Sequence, residues 1–149
     1  MEILRWKTRI AVLWVFMAVA YSAHMALSAF EPGVINLVAA GEMRMSEAEF
    51  TFSAAFAWLI PLTMAVLSLT LKDLANRRAN MVLGIVLTAV NVFHLVFEQT
   101  AQPSFHMAQP SFHQLLLNCS TVVATALVTW YAWKWPKQGL QPPEVAAER

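Results

Sequence analysis

The sequence is short of charge, of cysteine and of glycine, and each shortage removes a class of protein. Charged residues make up 13% of its 149 residues, where a soluble domain carries roughly 25%. So few charges cannot cover a water-facing surface. A single cysteine, Cys119, excludes an internal disulfide and argues against dithiol redox chemistry. The four glycines form no phosphate-binding loop, and no nucleophile motif for serine catalysis is present. The few basic residues sit at helix ends rather than in a patch, so no nucleic-acid partner is expected.

What is abundant is apolar side chain, at 58% of residues with a mean hydropathy of +0.53. The charges are also segregated. From Ile10 to Phe30 the one Lys, Arg, Asp, Glu or His is His24; from Phe50 to Leu71 there is none; from Ala79 to Phe97 there is His94; from Gln114 to Trp133 there is none. Each run is about 20 residues, which at ~1.5 Å per residue crosses the ~30 Å hydrocarbon core of a bilayer. Strands that do not close into a barrel would leave backbone groups unpaired in lipid, so the runs are helices. The expected fold is all-α: a membrane-embedded four-helix bundle, one transmembrane domain over residues 1–149, with spans near 10–30, 50–71, 79–97 and 112–133. Its first partner is the lipid bilayer, and homo-oligomers are compatible with it.

Orientation follows from Lys and Arg, which are retained in cytoplasmic loops. Arg5, Lys7 and Arg9 precede the first run, Lys72, Arg77 and Arg78 separate the second and third, and Lys134, Lys137 and Arg149 follow the fourth. On the other side only Arg44 appears, among Glu31, Glu42, Glu47 and Glu49. Both termini are therefore expected in the cytoplasm, with the inner membrane of a bacterium as the location. Trp6, Trp130, Tyr131, Trp133 and Trp135 suit the cytoplasmic aromatic belt. A cleavable signal peptide ending near Ala18-Val19-Ala20 is the competing reading of the N-terminus. The apolar run continues past that point and holds Trp14, Phe16 and Met17, which favours a retained helix.

The connections carry their own signals. Val34 to Ala40, after Pro32 and before Gly41, reads as a short interfacial helix between the first and second spans. Ser46-Glu47-Ala48-Glu49 fits a capping box that opens the second span. Pro61 falls in mid-span and is expected to kink it, with neighbouring helices making good the lost hydrogen bond. Lys72 to Asn80 reads as a short polar turn, and the tail over 137–149 as disordered. Ala101-Gln-Pro-Ser-Phe-His-Met107 is followed by Ala108-Gln-Pro-Ser-Phe-His-Gln114, identical but for the last residue. A local duplication that lengthened a loop explains it, and His106 is then a spare copy. A paired-histidine metal loop lacks the Cys or Asp that would complete it.

Candidate chemistry lies on the half opposite the basic residues. Tyr21, His24, Ser28 and Glu31 follow helical spacing, as do Asn91, His94 and Glu98, and Gln114, Asn118, Thr121, Thr125 and Thr129. Counting back from Glu31 and Glu98 by helical rise, His24 lies about 10 Å deep and His94 about 6 Å deep, so the two can meet. Ionisable groups inside a membrane face the bundle interior or a cavity. The three stripes therefore imply an outward-facing polar pocket lined by the first, third and fourth helices.

Three functions fit such a pocket. A binding or structural role needs only hydrogen bonds, and is preferred; no cofactor is expected with it. An enzyme acting on a lipophilic substrate would use His24 and Glu98 as acid and base. In its metal-dependent form, His24, His94, Glu98 and His113 would be the ligands, although none carries a tight ligand motif. A haem between His24 and His94 has the count and the depth but nothing specific. An oligomeric small transporter or pore would use the small residues Ala54, Ala55 and Ala57, or Ser120, Ala124 and Ala126, for close helix contact. It lacks the mid-membrane acid that proton coupling needs, and the halves show no inverted repeat.

The Trp6-Lys7 start, the Pro110-Ser-Phe-His113-Gln114 opening of the fourth span and its Tyr131-Ala-Trp-Lys-Trp-Pro136 close resemble a family of small bacterial four-helix integral membrane proteins of unknown function. The resemblance covers nearly the whole chain and implies the same bundle. It transfers no activity, and the duplicated loop departs from its pattern, which puts any role for His106 in doubt.

Overall fold

In the computed structural model, residues 2–30, 34–41, 46–100 and 112–135 are described; of Leu37 and residues 97–100 only the backbone is. Every element among them is helical. Helix α1 is Glu2–Ser28, α2 Val34–Ala39 and α3 Glu47–Ala54; a π-helical turn, Ala55–Leu59, joins α3 to α4, Ile60–Thr70; α5 is Asp73–Thr100 and α6 Phe112–Trp133. Four stretches, Glu2–Ser28, Glu47–Thr70, Asp73–Val96 and Phe112–Trp133, are long and apolar enough to cross a membrane. The second runs unbroken through α3, the π turn and α4. The repeat copy holding His106 and the tail over 137–149 lie outside the described residues.

Local signals explain the ends of these elements. Ser46 caps α3: its Oγ accepts from the Glu49 N–H at 3.2 Å, and Glu49 Oε2 accepts from the Ser46 N–H at 2.8 Å. The reciprocal pair satisfies two of the N–H groups a helix start leaves open. The six-residue α2 stops at Gly41, whose φ of 70° is left-handed and costs glycine least. Pro61 is absorbed upstream of itself. The Ile60 N–H reaches back five residues to the Ala55 carbonyl, so one widened turn takes up the register that the missing proline N–H disrupts. The expected turn from Lys72 to Asn80 is shorter than its polarity suggests. Only Leu71 and Lys72 are outside helix, and Asn76 and Asn80 lie within α5.

The helices pack side by side, the second span on α1, α1 on α6 and α6 on α5. The fourth side of the square is incomplete. Helix α4 touches α5 only sparsely, the π turn packs on α1, and α3 makes no substantial contact with any helix but its own continuation. Helix α5 comes close to α6 at Gly84, where an added Cβ would lie 2.4 Å from Thr129 Oγ1.

The arrangement of polarity is inside out relative to a water-soluble bundle. Val12, Phe16, Val19, Leu62, Val66, Val82, Ile85, Phe93, Leu116 and Val123 are exposed, while Ser68, Asn76, Asn80, Asn91, Thr121 and Thr125 are buried. Hydrophobic side chains on the outside and polar ones within suit a lipid solvent. A mixed core joins all four long helices through Ile10, Trp14, Met17, Met64, Ala65, Leu87, Ala124, Val128 and Trp135. It occupies the middle and the end that carries Lys7, Arg77 and Lys134, called the basic end below. At the opposite end, residues 21–30, 47–56, 92–96 and 112–120 include no buried side chain.

Candidate functional site

Two polar layers cross the bundle, and they differ in how completely they are satisfied. The layer towards the basic end is closed. Asn80 is fully buried; its Oδ1 accepts from Trp14 Nε1 at 2.6 Å and from Ser68 Oγ at 3.2 Å. Its Nδ2 donates to the Asn76 Oδ1 at 2.5 Å and the Asn76 carbonyl at 2.9 Å. Asn76 in turn donates from Nδ2 to the Ser68 carbonyl at 2.5 Å. Three spans are thereby tied together with every amide group used. Outside this layer, Lys7 Nζ donates to the Leu71 carbonyl at 2.9 Å and pairs with Asp73 at 3.0 Å, and Arg77 Nε donates to the Ala132 carbonyl at 3.1 Å. These contacts pin the turn between the second and third spans to both terminal helices. No motif in the sequence marks Asn76 or Asn80, although Asn76, Asn80 and Gly84 at four-residue intervals lie on one helix face.

The layer at the opposite end is open. Tyr21 donates its hydroxyl to Asn91 Oδ1 at 2.8 Å, joining α1 to α5. Asn91 is 6% exposed, yet its Nδ2 makes no hydrogen bond. A buried amide left with an unused donor is uncommon and calls for a partner. The Tyr21 ring meets Phe56 at 5.6 Å, and Phe56 stacks on Phe52 at 6.4 Å, so an aromatic row runs outward from Asn91 along the second span. Trp58, inside the π turn, donates its indole N–H to Ser22 Oγ at 2.7 Å and holds that turn to α1. Helix α3, which carries Phe52 at the outer end of this row, makes no substantial contact with α5.

The three stripes read from sequence come together in part. Tyr21 meets Asn91, and Gln114 Nε2 donates to Ser28 Oγ at 3.3 Å, so α1 does bridge to α5 and to α6. On α6 the threonines differ from expectation. Thr121, Thr125 and Thr129 donate to carbonyls of their own helix, those of Asn118, Thr121 and Thr125, at 2.8, 3.0 and 3.0 Å. Hydroxyls bonded back onto the preceding turn have their donors spent within their own helix. His24 and His113 are half-buried and His94 is exposed, and each is engaged with neighbouring groups. Glu98 belongs to α5, but its side chain lies outside the described residues. Among the described residues, no three or more His, Cys, Asp or Glu side chains gather as metal ligands do.

An apolar groove of about 700 Å³ lies on the outer face of α5 and α6, lined by residues such as Ile85, Ala89, Val92 and Ala126. It carries no polar group placed for chemistry beyond Thr88 and Thr129, whose hydroxyls are bonded within their own helices.

The fold therefore defines a helical bundle with four helices of membrane-crossing length, polar within and apolar without. The chain belongs to DUF6326, a family of unknown function, which it matches over residues 1–140. No curated protein and no solved structure matches it.

Proposed function

We propose that this chain is an integral protein of a bacterial inner membrane, with both termini cytoplasmic and α2 lying on the outer interface. In that orientation the open layer faces outward, and its role is to bind a lipophilic ligand that enters from the side between the second and third spans. The observation that carries this reading is Asn91: a buried amide whose Oδ1 is held by Tyr21 and whose Nδ2 is unpartnered, at the inner end of an aromatic row. A ligand suited to it is apolar along its length and ends in a carbonyl or hydroxyl oxygen that accepts from Nδ2. Ligand sites of this form combine apolar walls with few, well-placed polar groups.

The test is the lipid extract of protein purified in mild detergent, compared by mass spectrometry between wild type, Asn91→Leu and Tyr21→Phe. One amphiphile near stoichiometric amount in the wild type, depleted at least about tenfold in Asn91→Leu, supports the reading. Identical extracts from all three overturn it. Stoichiometric metal in the same preparation, lost in His24→Ala and His94→Ala, would overturn it in favour of a metal-dependent enzyme.

A further inference from the structure

The basic end holds a second grouping of side chains, separate from the Tyr21–Asn91 layer. Trp6 of α1 and Tyr131 of α6 meet edge to face with ring centroids 5.6 Å apart. The Arg9 guanidinium lies over both, 5.7 Å from the Trp6 ring and 6.0 Å from the Tyr131 ring. Nearby cations have other engagements. Lys7 takes Asp73 and the Leu71 carbonyl, Arg77 takes the carbonyls of Ala132 and Trp133, and Lys134 sits over Trp130 at 4.3 Å. Among the described residues the one ion pair is that of Lys7 with Asp73, so Arg9 has no carboxylate.

A guanidinium held by cation–π attraction beside two rings spends none of its N–H donors on them, and its planar fork matches the two oxygens of a phosphate. The two rings also fix its depth. Arg9 is exposed and immediately precedes the fully buried Ile10, at the start of the charge-free run, and tryptophan and tyrosine settle at headgroup level in a bilayer. Arg5, Lys72 and Arg78, all exposed, surround this end with further positive charge. Such charge attracts acidic lipid.

We propose that Arg9, held beside Trp6 and Tyr131, forms a clamp for the phosphate of an anionic phospholipid in the leaflet at the basic end. The lipid joins α1 to α6 through its headgroup. The site is independent of the Tyr21–Asn91 layer at the other end, and its failure would leave that reading untouched.

The experiment is native mass spectrometry of the full chain in detergent, titrated separately with phosphatidylglycerol, phosphatidylcholine and soluble glycerol phosphate. Wild type should prefer phosphatidylglycerol over phosphatidylcholine by about tenfold, with glycerol phosphate unable to compete at equal concentration. Arg9→Gln should weaken phosphatidylglycerol by about tenfold. Arg9→Lys, which keeps the charge and loses the planar fork, should weaken it by about threefold or more. Arg5→Gln removes the same charge away from the ring pair and should change it less than about twofold. The proposal is overturned if Arg5→Gln loses as much as Arg9→Gln, because diffuse charge then suffices. It is also overturned if both Arg9 variants bind as the wild type does, or if glycerol phosphate competes equally. Helix content measured by circular dichroism shows that each variant is folded, and Arg9→Lys decides the matter if Arg9→Gln is not.

Discussion

Replacing Asn80 by Leu should destabilise the bundle mainly by what it leaves behind at Trp14. The Asn80 Oδ1 accepts two bonds from other spans, one from the Trp14 indole and one from the Ser68 hydroxyl. Interhelical hydrogen bonds in membrane proteins average ~0.6 kcal/mol, so their loss costs about 1 kcal/mol. The larger effect is the stranded indole N–H: Trp14 is fully buried, and an unsatisfied buried donor adds about 1–3 kcal/mol. Asn80→Leu should therefore cost about 2–4 kcal/mol in the wild-type background. In a Trp14→Phe background no indole remains to be stranded, and the same change should cost only about 1 kcal/mol. The double-mutant cycle thus predicts a coupling of about 1–3 kcal/mol. Unfolding in mixed detergent and dodecyl sulfate micelles, followed by circular dichroism, measures all four corners. If Asn80→Leu costs the same in both backgrounds to within about 0.5 kcal/mol, the buried network is not organised as described.

Other substitutions test other joints. Gly84→Ala puts a Cβ 2.4 Å from Thr129 Oγ1 and should cost about 1–3 kcal/mol through overpacking, partly restored by adding Thr129→Ala, which removes that atom; the same micelle titration reads both. Ser46→Ala removes the cap of α3 and should cost about 1 kcal/mol, seen as faster amide exchange over residues 47–50 with the α5 amides unchanged. Trp58→Phe removes the bond to Ser22 and should loosen residues 47–59 without lowering the unfolding free energy by more than about 1 kcal/mol.

The four long helices were legible because a charge-free run of membrane length has few other physical solutions, and the capping box at Ser46 because its two bonds are local. Asn76 and Asn80 were misplaced in a turn for a reason that also lies in composition. Polar residues at the head of an apolar run look like loop until Trp14 and Ser68, distant in sequence, are seen to satisfy them. Pro61 announced a disturbance but not its form, since a missing N–H can be met by a kink or by a widened turn. The threonines of α6 show the opposite ambiguity, because spacing places hydroxyls on a face but does not say whether they bond outward or back to their own helix. In the candidate site, Tyr21, Asn91, Ser28 and Gln114 were found by spacing alone. The departure of α3 from α5 was not legible, because apolar residues that face lipid and apolar residues that face a neighbouring helix have the same composition.

The bundle is closed by packing and a complete polar network towards the basic end and open at the other. Hydrogen–deuterium exchange of the purified protein, resolved along each long helix, tests it most directly. Slow exchange over residues 10–20, 60–68, 76–91 and 121–132, with markedly faster exchange over 21–28, 47–56 and 112–120, is the result expected. Equal protection along the full length of all four helices would contradict it.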